Sequence, residues 1–139
     1  CIACTAGKYK TATGSAGCTD CAANTYKAAT GLTTDSCDSC PSNAGSAQGS
    51  GVCTCNMGYT GPDGGTCIAC TAGKYKTATG SAGCTDCAAN TYKAATGLTT
   101  DSCDSCPSNA GSAQGSGVCT CNMGYTGPDG GTCIACTAG

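Results

Sequence analysis

The sequence contains no histidine, tryptophan, phenylalanine, arginine or glutamate. Without an imidazole, no His-dependent proton shuttle or Ser–His or Cys–His nucleophile can operate. Paired acid/base carboxylates and phosphate-cradling loops are missing too, so the sequence predicts no catalytic site, no cofactor and no enzyme. Large apolar side chains are scarce: each 66-residue stretch supplies one Ile, one Leu, one Val, one Met and three Tyr. The 40% apolar content is mostly Ala and Cys. No apolar run is long enough to span a membrane, and no signal peptide or lipid-anchor motif is present. Asn24, Asn43 and Asn56 each lack the sequon for N-linked sugar. The net charge is −2, from six Lys against eight Asp, which is no footprint for nucleic acid.

What is abundant is cysteine, 18 in 139 residues. That density marks a disulfide scaffold and an oxidising compartment, so a secreted or cell-surface protein is expected. A chain this poor in large side chains buries too little surface to offset its conformational entropy. Bridges must substitute. Closing a loop of 15 residues is worth about 3 kcal/mol in the chain-entropy model.

Residues 1–66 recur without change as 67–132, and residues 133–139 begin a third copy. A fixed period of this length signals a tandem array. The first and last residues fall inside the repeat, so a segment of a longer protein is expected. Four smaller units lie within each period. CTAGKYKTATGSAGC runs from Cys4 to Cys18, and CAANTYKAATGLTTDSC from Cys21 to Cys37. Cys40–Cys53 and Cys55–Cys67 follow. Three positions after each opening cysteine stands Gly7, Asn24, Asn43 or Gly58. Gly and Asn are the residues that most readily take positive φ, so a turn of fixed geometry is predicted there.

The fold class expected is small and disulfide-rich, with short β-hairpins, drawn out as an elongated tandem-repeat rod. No segment has a 3.6-residue apolar period. Short strands are expected at 8–11, 25–28 and 58–60, where a Tyr is flanked by Thr or Lys. Gly14-Ser15 and Gly31-Leu32 read as tips between paired arms. Residues 42–51 are Gly/Ser/Ala-rich and read as an irregular loop, and Gly61–Gly65 carries a strong turn signal.

Long and short cysteine spacings alternate, which suggests a ladder in which each long loop has its own bridge. The pairs would be Cys4–Cys18, Cys21–Cys37, Cys40–Cys53 and Cys55–Cys67, then Cys70–Cys84, Cys87–Cys103, Cys106–Cys119 and Cys121–Cys133. Cys1 and Cys136 would be left unpaired. A crossed pattern, with Cys1–Cys18, Cys4–Cys21, Cys37–Cys53 and Cys40–Cys55, stays open, because spacing alone does not fix connectivity.

CTAGKYKTATGSAGC resembles the first loop of a TNF-receptor-type cysteine-rich module. The string C-x-x-C-x-x-G-x-Y resembles ephrin-receptor-like cysteine-rich repeats of large protist and algal surface proteins. CTCNMGYTGPDGGTC, from Cys53 to Cys67, resembles the C-terminal half of an EGF-like domain, where the last two cysteines pair; that implies Cys55–Cys67. The acidic calcium-binding signature of such domains is absent, so no calcium site is implied. In style the array is similar to tandem surface antigens of ciliates and to the shaft proteins of algal flagellar hairs (mastigonemes).

Sharper readings compete with structural ones. Cys1, Cys4, Cys18 and Cys21 have the spacing of a zinc site, but every cysteine belongs to the same alternation and none has a His beside it. Disulfides are the expectation, with no metal. A redox C-x-x-C needs a thiol of lowered pKa, usually at a helix N-terminus, and no helix follows these pairs. Asp35 and Asp38 flank Cys37 and suggest a cation; the reading preferred is that they cap local backbone donors. Tyr9, Tyr26 and Tyr59 are expected to pack on neighbouring units or bridges rather than bind a ligand. Thr11, Thr13, Ser15, Thr30, Thr33, Thr34 and Ser36 are candidate O-glycan sites, although hydroxyl residues also simply solvate loops.

An array of identical units grows in one dimension and presents one surface at constant spacing. The function expected is a non-catalytic extracellular fibre or filament (flagellar hair, sheath or fibril) stapled by disulfides. Its partners would be further copies of itself and O-linked glycans, with no nucleic acid and no membrane span. The alternative is the stalk of a cell-surface antigen or adhesin.

Overall fold

The structure, a computed structural model, describes residues 2–137. It is built of short antiparallel hairpins closed by eight disulfides, with no helix among the described residues. In the first period β1 (Lys8–Tyr9) pairs with β2 (Thr19–Asp20), β3 (Thr25–Tyr26) with β4 (Asp38–Ser39), β5 (Ala44–Gly45) with β6 (Thr54–Cys55), and β7 (Tyr59–Thr60) with β8 (Ile68–Ala69). The second period repeats this as β9 (Lys74–Tyr75) with β10 (Thr85–Asp86), β11 (Thr91–Tyr92) with β12 (Asp104–Ser105), β13 (Ala110–Gly111) with β14 (Thr120–Cys121), and β15 (Tyr125–Thr126) with β16 (Ile134–Ala135). Strands of two residues are marginal by themselves; a disulfide closes each loop and holds the pair together.

By compactness the chain forms two units. One comprises the chain through Asn56 with Gly61–Ile68 and Thr79–Ser81; the other comprises Met57–Thr60, Ala69–Ala78 and the chain from Ala82 onward. Each holds four bridges. In the first these join Cys4 to Cys18, Cys21 to Cys37, Cys40 to Cys53 and Cys55 to Cys67. In the second they join Cys70 to Cys84, Cys87 to Cys103, Cys106 to Cys119 and Cys121 to Cys133.

The core follows from the composition. Among the described residues every buried apolar side chain is a half-cystine, and Cys21, Cys53, Cys55, Cys70, Cys87 and Cys119 are the fully buried ones. With few large side chains available, sulfur fills the interior.

Two strand assignments differ from the sequence reading. The short linkers between a closing and an opening cysteine, such as Thr19-Asp20 and Asp38-Ser39, are strands that pair back on the turn just opened. Two residues cannot show a period-2 pattern, so no signal marked them. Ala44–Gly45, inside the Gly/Ser/Ala-rich stretch, is likewise a strand. Its ladder is made by backbone, which small residues supply as well as large ones.

Candidate functional site: the inter-hairpin joint

The joint starts from the turn residue after each opening cysteine. Gly7, Asn24, Asn43 and Gly58 have φ of 77°, 65°, 63° and 78°, and their second-period counterparts Gly73, Asn90, Asn109 and Gly124 have 78°, 64°, 65° and 84°. This left-handed conformation turns the residue's own N–H and C=O toward the following hairpin. Gly7 N–H donates to Lys27 O at 2.8 Å, and Gly7 O accepts from Cys21 N–H at 2.8 Å. A third bond runs from Gly31 N–H to Cys4 O at 2.8 Å.

The same three bonds recur down the chain. Asn24, Gly58, Gly73 and Asn90 donate to Ser46, Lys76, Lys93 and Ser112 at 2.8–2.9 Å. Their carbonyls accept from Cys40, Cys70, Cys87 and Cys106, and the carbonyls of Cys21, Cys55, Cys70 and Cys87 accept from Gly49, Gly80, Gly97 and Gly115. Each bond is worth about 1 kcal/mol net. All three are backbone bonds, and the donor of the third is itself a positive-φ glycine at each of these joints: Gly31, Gly49, Gly80, Gly97 and Gly115.

The third joint departs from this pattern for a covalent reason. Cys53 and Cys55 are separated by one residue instead of two, so Cys55 itself enters β6 and pairs with Ala44. The bond to the turn carbonyl moves one residue on, from Asn56 N–H to Asn43 O at 2.9 Å. Gly64 N–H reaches Cys53 O instead of the opening Cys40.

Glycine at the turn has a second use. A Cβ on Gly7 would stand 2.2 Å from Gly49 O, and one on Gly73 2.2 Å from Gly115 O. The turn of one hairpin is thus approached by the backbone of the hairpin two places on. Where Asn occupies the turn, its Cβ is accommodated and its amide oxygen lies against the facing glycine, as Asn24 Oδ1 does at Gly45.

Charged groups reinforce the hairpins. Lys8 pairs with Asp20 at 2.7 Å and Lys27 with Asp38 at 2.9 Å; Lys74 with Asp86 and Lys93 with Asp104 repeat them. Lys8 and Asp20 stand directly opposite in the β1–β2 register, where opposite charges attract across the strands. Tyr9 is half-buried beside Asp35 of the next hairpin. Loss of hydration, then the neighbouring Asp35 carboxylate, raises the Tyr9 pKa above the ordinary phenol value. Tyr75 and Asp101 repeat the arrangement. Asp20, Asp35 and Asp38 therefore serve lysine and tyrosine partners, where the sequence reading had Asp35 and Asp38 capping local backbone.

Cys4, Cys18 and Cys21, three of the four cysteines with zinc spacing, are engaged in disulfides; Cys1 lies outside the described residues. Cys136 is a free, exposed thiol. Among the described residues, no group of three or more His, Cys, Asp or Glu is placed to hold a metal. Thr11, Thr13, Ser15, Thr30, Thr33 and Thr34 are exposed, and Ser36 is half-buried. Tyr26 and Tyr59 are half-buried like Tyr9. No helix among the described residues is long and apolar enough to cross a membrane.

What the sequence did not single out is Lys76. It is 3% exposed, the one buried charged residue among those described, while its counterpart Lys10 is half-buried. Lys76 Nζ donates to Tyr59 O at 2.8 Å, beneath the turn of the preceding hairpin. No protein-family model matches the chain and no curated protein matches it; by its own geometry it is a cysteine-rich tandem repeat of disulfide-closed hairpins.

Proposed function

We propose that the chain is a non-catalytic structural module, the repeating part of an extracellular fibre stapled by disulfides. The observation that carries this reading is the recurrence of one backbone joint from hairpin to hairpin. A contact that recurs from hairpin to hairpin is heterologous, and heterologous contacts that do not close make filaments. The bridges then limit how far each hairpin can stretch, and the repeat sets the axial spacing.

The same reading makes the protein secreted or surface-exposed, because eight bridges need an oxidising compartment. It needs no catalytic group: four lysines are paired to aspartates, and Lys10 and Lys76 donate to backbone carbonyls. The exposed Thr11, Thr13, Ser15, Thr30, Thr33 and Thr34 are offered for O-linked sugar, and self-association is the partnership proposed. The resemblance to ephrin-receptor-like and TNF-receptor-type modules, with an EGF-like segment at Cys53–Cys67, belongs to this proposal.

Electron microscopy of native, unreduced material tests it. Ordered filaments with an axial period matching one 66-residue repeat are expected. Isolated flexible rods at every concentration would contradict the fibre and favour the stalk of a surface antigen or adhesin.

A further inference from the structure

We propose that the peptide bond between Asp63 and Gly64 is a gated site of self-modification, where the aspartate isomerises to isoaspartate once the Gly64 amide releases the Cys53 carbonyl. Asp129 and Gly130 form the same site one period on.

The sequence supplies the reactive pair. Each period holds four aspartates, and Asp20, Asp35 and Asp38 are followed by Cys or Ser. Asp63 is followed by glycine. An aspartate's side-chain carboxyl is open to attack by the next backbone nitrogen, and a Cβ on that next residue obstructs the approach; glycine has none. Asp63 is exposed, and it takes part in none of the lysine–aspartate pairs. No cation holds its carboxyl group away from the backbone.

The chemistry needs only the chain and water. The Gly64 nitrogen bonds to Asp63 Cγ and loses its hydrogen. The bond from Cγ to one carboxyl oxygen breaks, and that oxygen leaves as water with the amide hydrogen and the carboxyl proton. A cyclic imide (a succinimide) remains. Water then opens the ring. Addition at Cγ breaks the new bond and restores aspartate. Addition at the Asp63 main-chain carbonyl carbon breaks the original peptide bond and leaves the chain running through Cβ and Cγ. One water leaves and one enters, and nothing is oxidised or reduced.

The fold holds the first step closed. Asp63 and Gly64 are the central residues of a turn in which Gly65 N–H donates to Pro62 O at 3.0 Å and Gly64 has φ 74°. The nitrogen that must attack is already the donor of a 2.8 Å bond to Cys53 O, and Gly130 N–H donates to Cys119 O at 2.7 Å. Attack on Cγ requires that peptide unit to rotate and its N–H to give up the acceptor. The acceptor is itself fixed, because Cys53 is fully buried and bridged to Cys40. The bridge closing the third hairpin thus guards the turn of the fourth. Isomerisation adds a methylene to the backbone just ahead of Gly64, so it displaces the N–H and weakens that joint for good.

Peptide mapping reads isoaspartate as an isomer that separates at unchanged mass, and heavy-oxygen water labels each ring opening. In the oxidised 139-residue chain at neutral pH, the Gly64 and Gly130 amides should exchange slowly and both aspartates should persist. Reduction and alkylation should speed isomerisation at both by about fivefold or more, the factor that one backbone hydrogen bond is worth. Cys40→Ser with Cys53→Ser separates the local guard from the rest of the fold. Isomerisation should rise at Asp63 and stay slow at Asp129, because Cys119 remains bridged to Cys106. Cys106→Ser with Cys119→Ser should reverse the pattern. Exchange at the Gly7 and Gly73 amides checks that the other joints are intact in each variant.

Rapid exchange of the Gly64 amide in the oxidised wild type overturns the proposal, as does equal isomerisation in the oxidised and reduced chains. A rise at both aspartates in a bridge variant whose Gly7 and Gly73 amides stay protected overturns it too.

Discussion

The Tyr9 phenol stands beside the Asp35 carboxylate, which brings together side chains of the first and second hairpins 26 residues apart in sequence. Tyr75 and Asp101 repeat the arrangement one period later. Desolvation and the carboxylate charge both favour the protonated phenol. A tyrosine whose folded pKa lies above its unfolded value of 10.0 contributes stability that is complete below pH 10 and lost as pH rises through the folded value. Absorbance titration at 295 nm should show a late-ionising component, and Tyr9→Phe with Tyr75→Phe should remove it. Asp35→Asn with Asp101→Asn should shift it down only partly, because desolvation remains.

The turn residues Gly7 and Asn24 share a backbone conformation but differ in what approaches them. Gly7→Asn keeps an allowed φ yet places a Cβ 2.2 Å from Gly49 O. Overpacking of this kind costs about 1–3 kcal/mol. Asn24→Gly should cost no more than about 1 kcal/mol, through unfolded-state entropy. Urea midpoints of the two variants check the order; equal losses would show that the turn's φ alone matters.

Lys76 is buried beneath the turn of the hairpin before it, with its ammonium on Tyr59 O. Lys76→Met strips a donor from Tyr59 O in a buried setting, which costs about 1–3 kcal/mol. Hydrogen exchange reads the change locally, with protection at the Gly58 amide, which donates to Lys76 O at 2.9 Å, expected to fall in Lys76→Met.

Replacing Cys21 and Cys37 together by Ala removes a bridge of sequence separation 16. The chain-entropy model assigns such a bridge about 3 kcal/mol. Cys21 is fully buried, so lost packing adds to that figure. Denaturant unfolding of the double variant is expected to show a loss of at least this size, and full reduction should abolish the near-UV dichroism of the tyrosines.

Much of the fold was legible in residue types with a single physical use. Gly or Asn three positions past each opening cysteine announced positive φ, and the poverty of large side chains announced a sulfur core. The linker strands were hidden because Thr19-Asp20 and Asp38-Ser39 are too short to carry a pattern. The Tyr9–Asp35 pair was hidden because nothing in spacing relates a phenol to a carboxylate in the next loop. The burial of Lys76 was hidden because it comes from the loop of the preceding hairpin folding over it, which spacing does not show.

The central claim is that bridged hairpins, joined by a recurring set of backbone bonds, form an array that resists stretching. Single-molecule force extension of the chain, oxidised and then reduced, tests it most directly. Most of each period lies inside a bridged loop, so the oxidised chain should reach its limit after a short extension. Reduction should then release each locked loop at about 3.3–3.6 Å per residue. An oxidised chain that extends as far as the reduced one, at the same low force, would contradict the account.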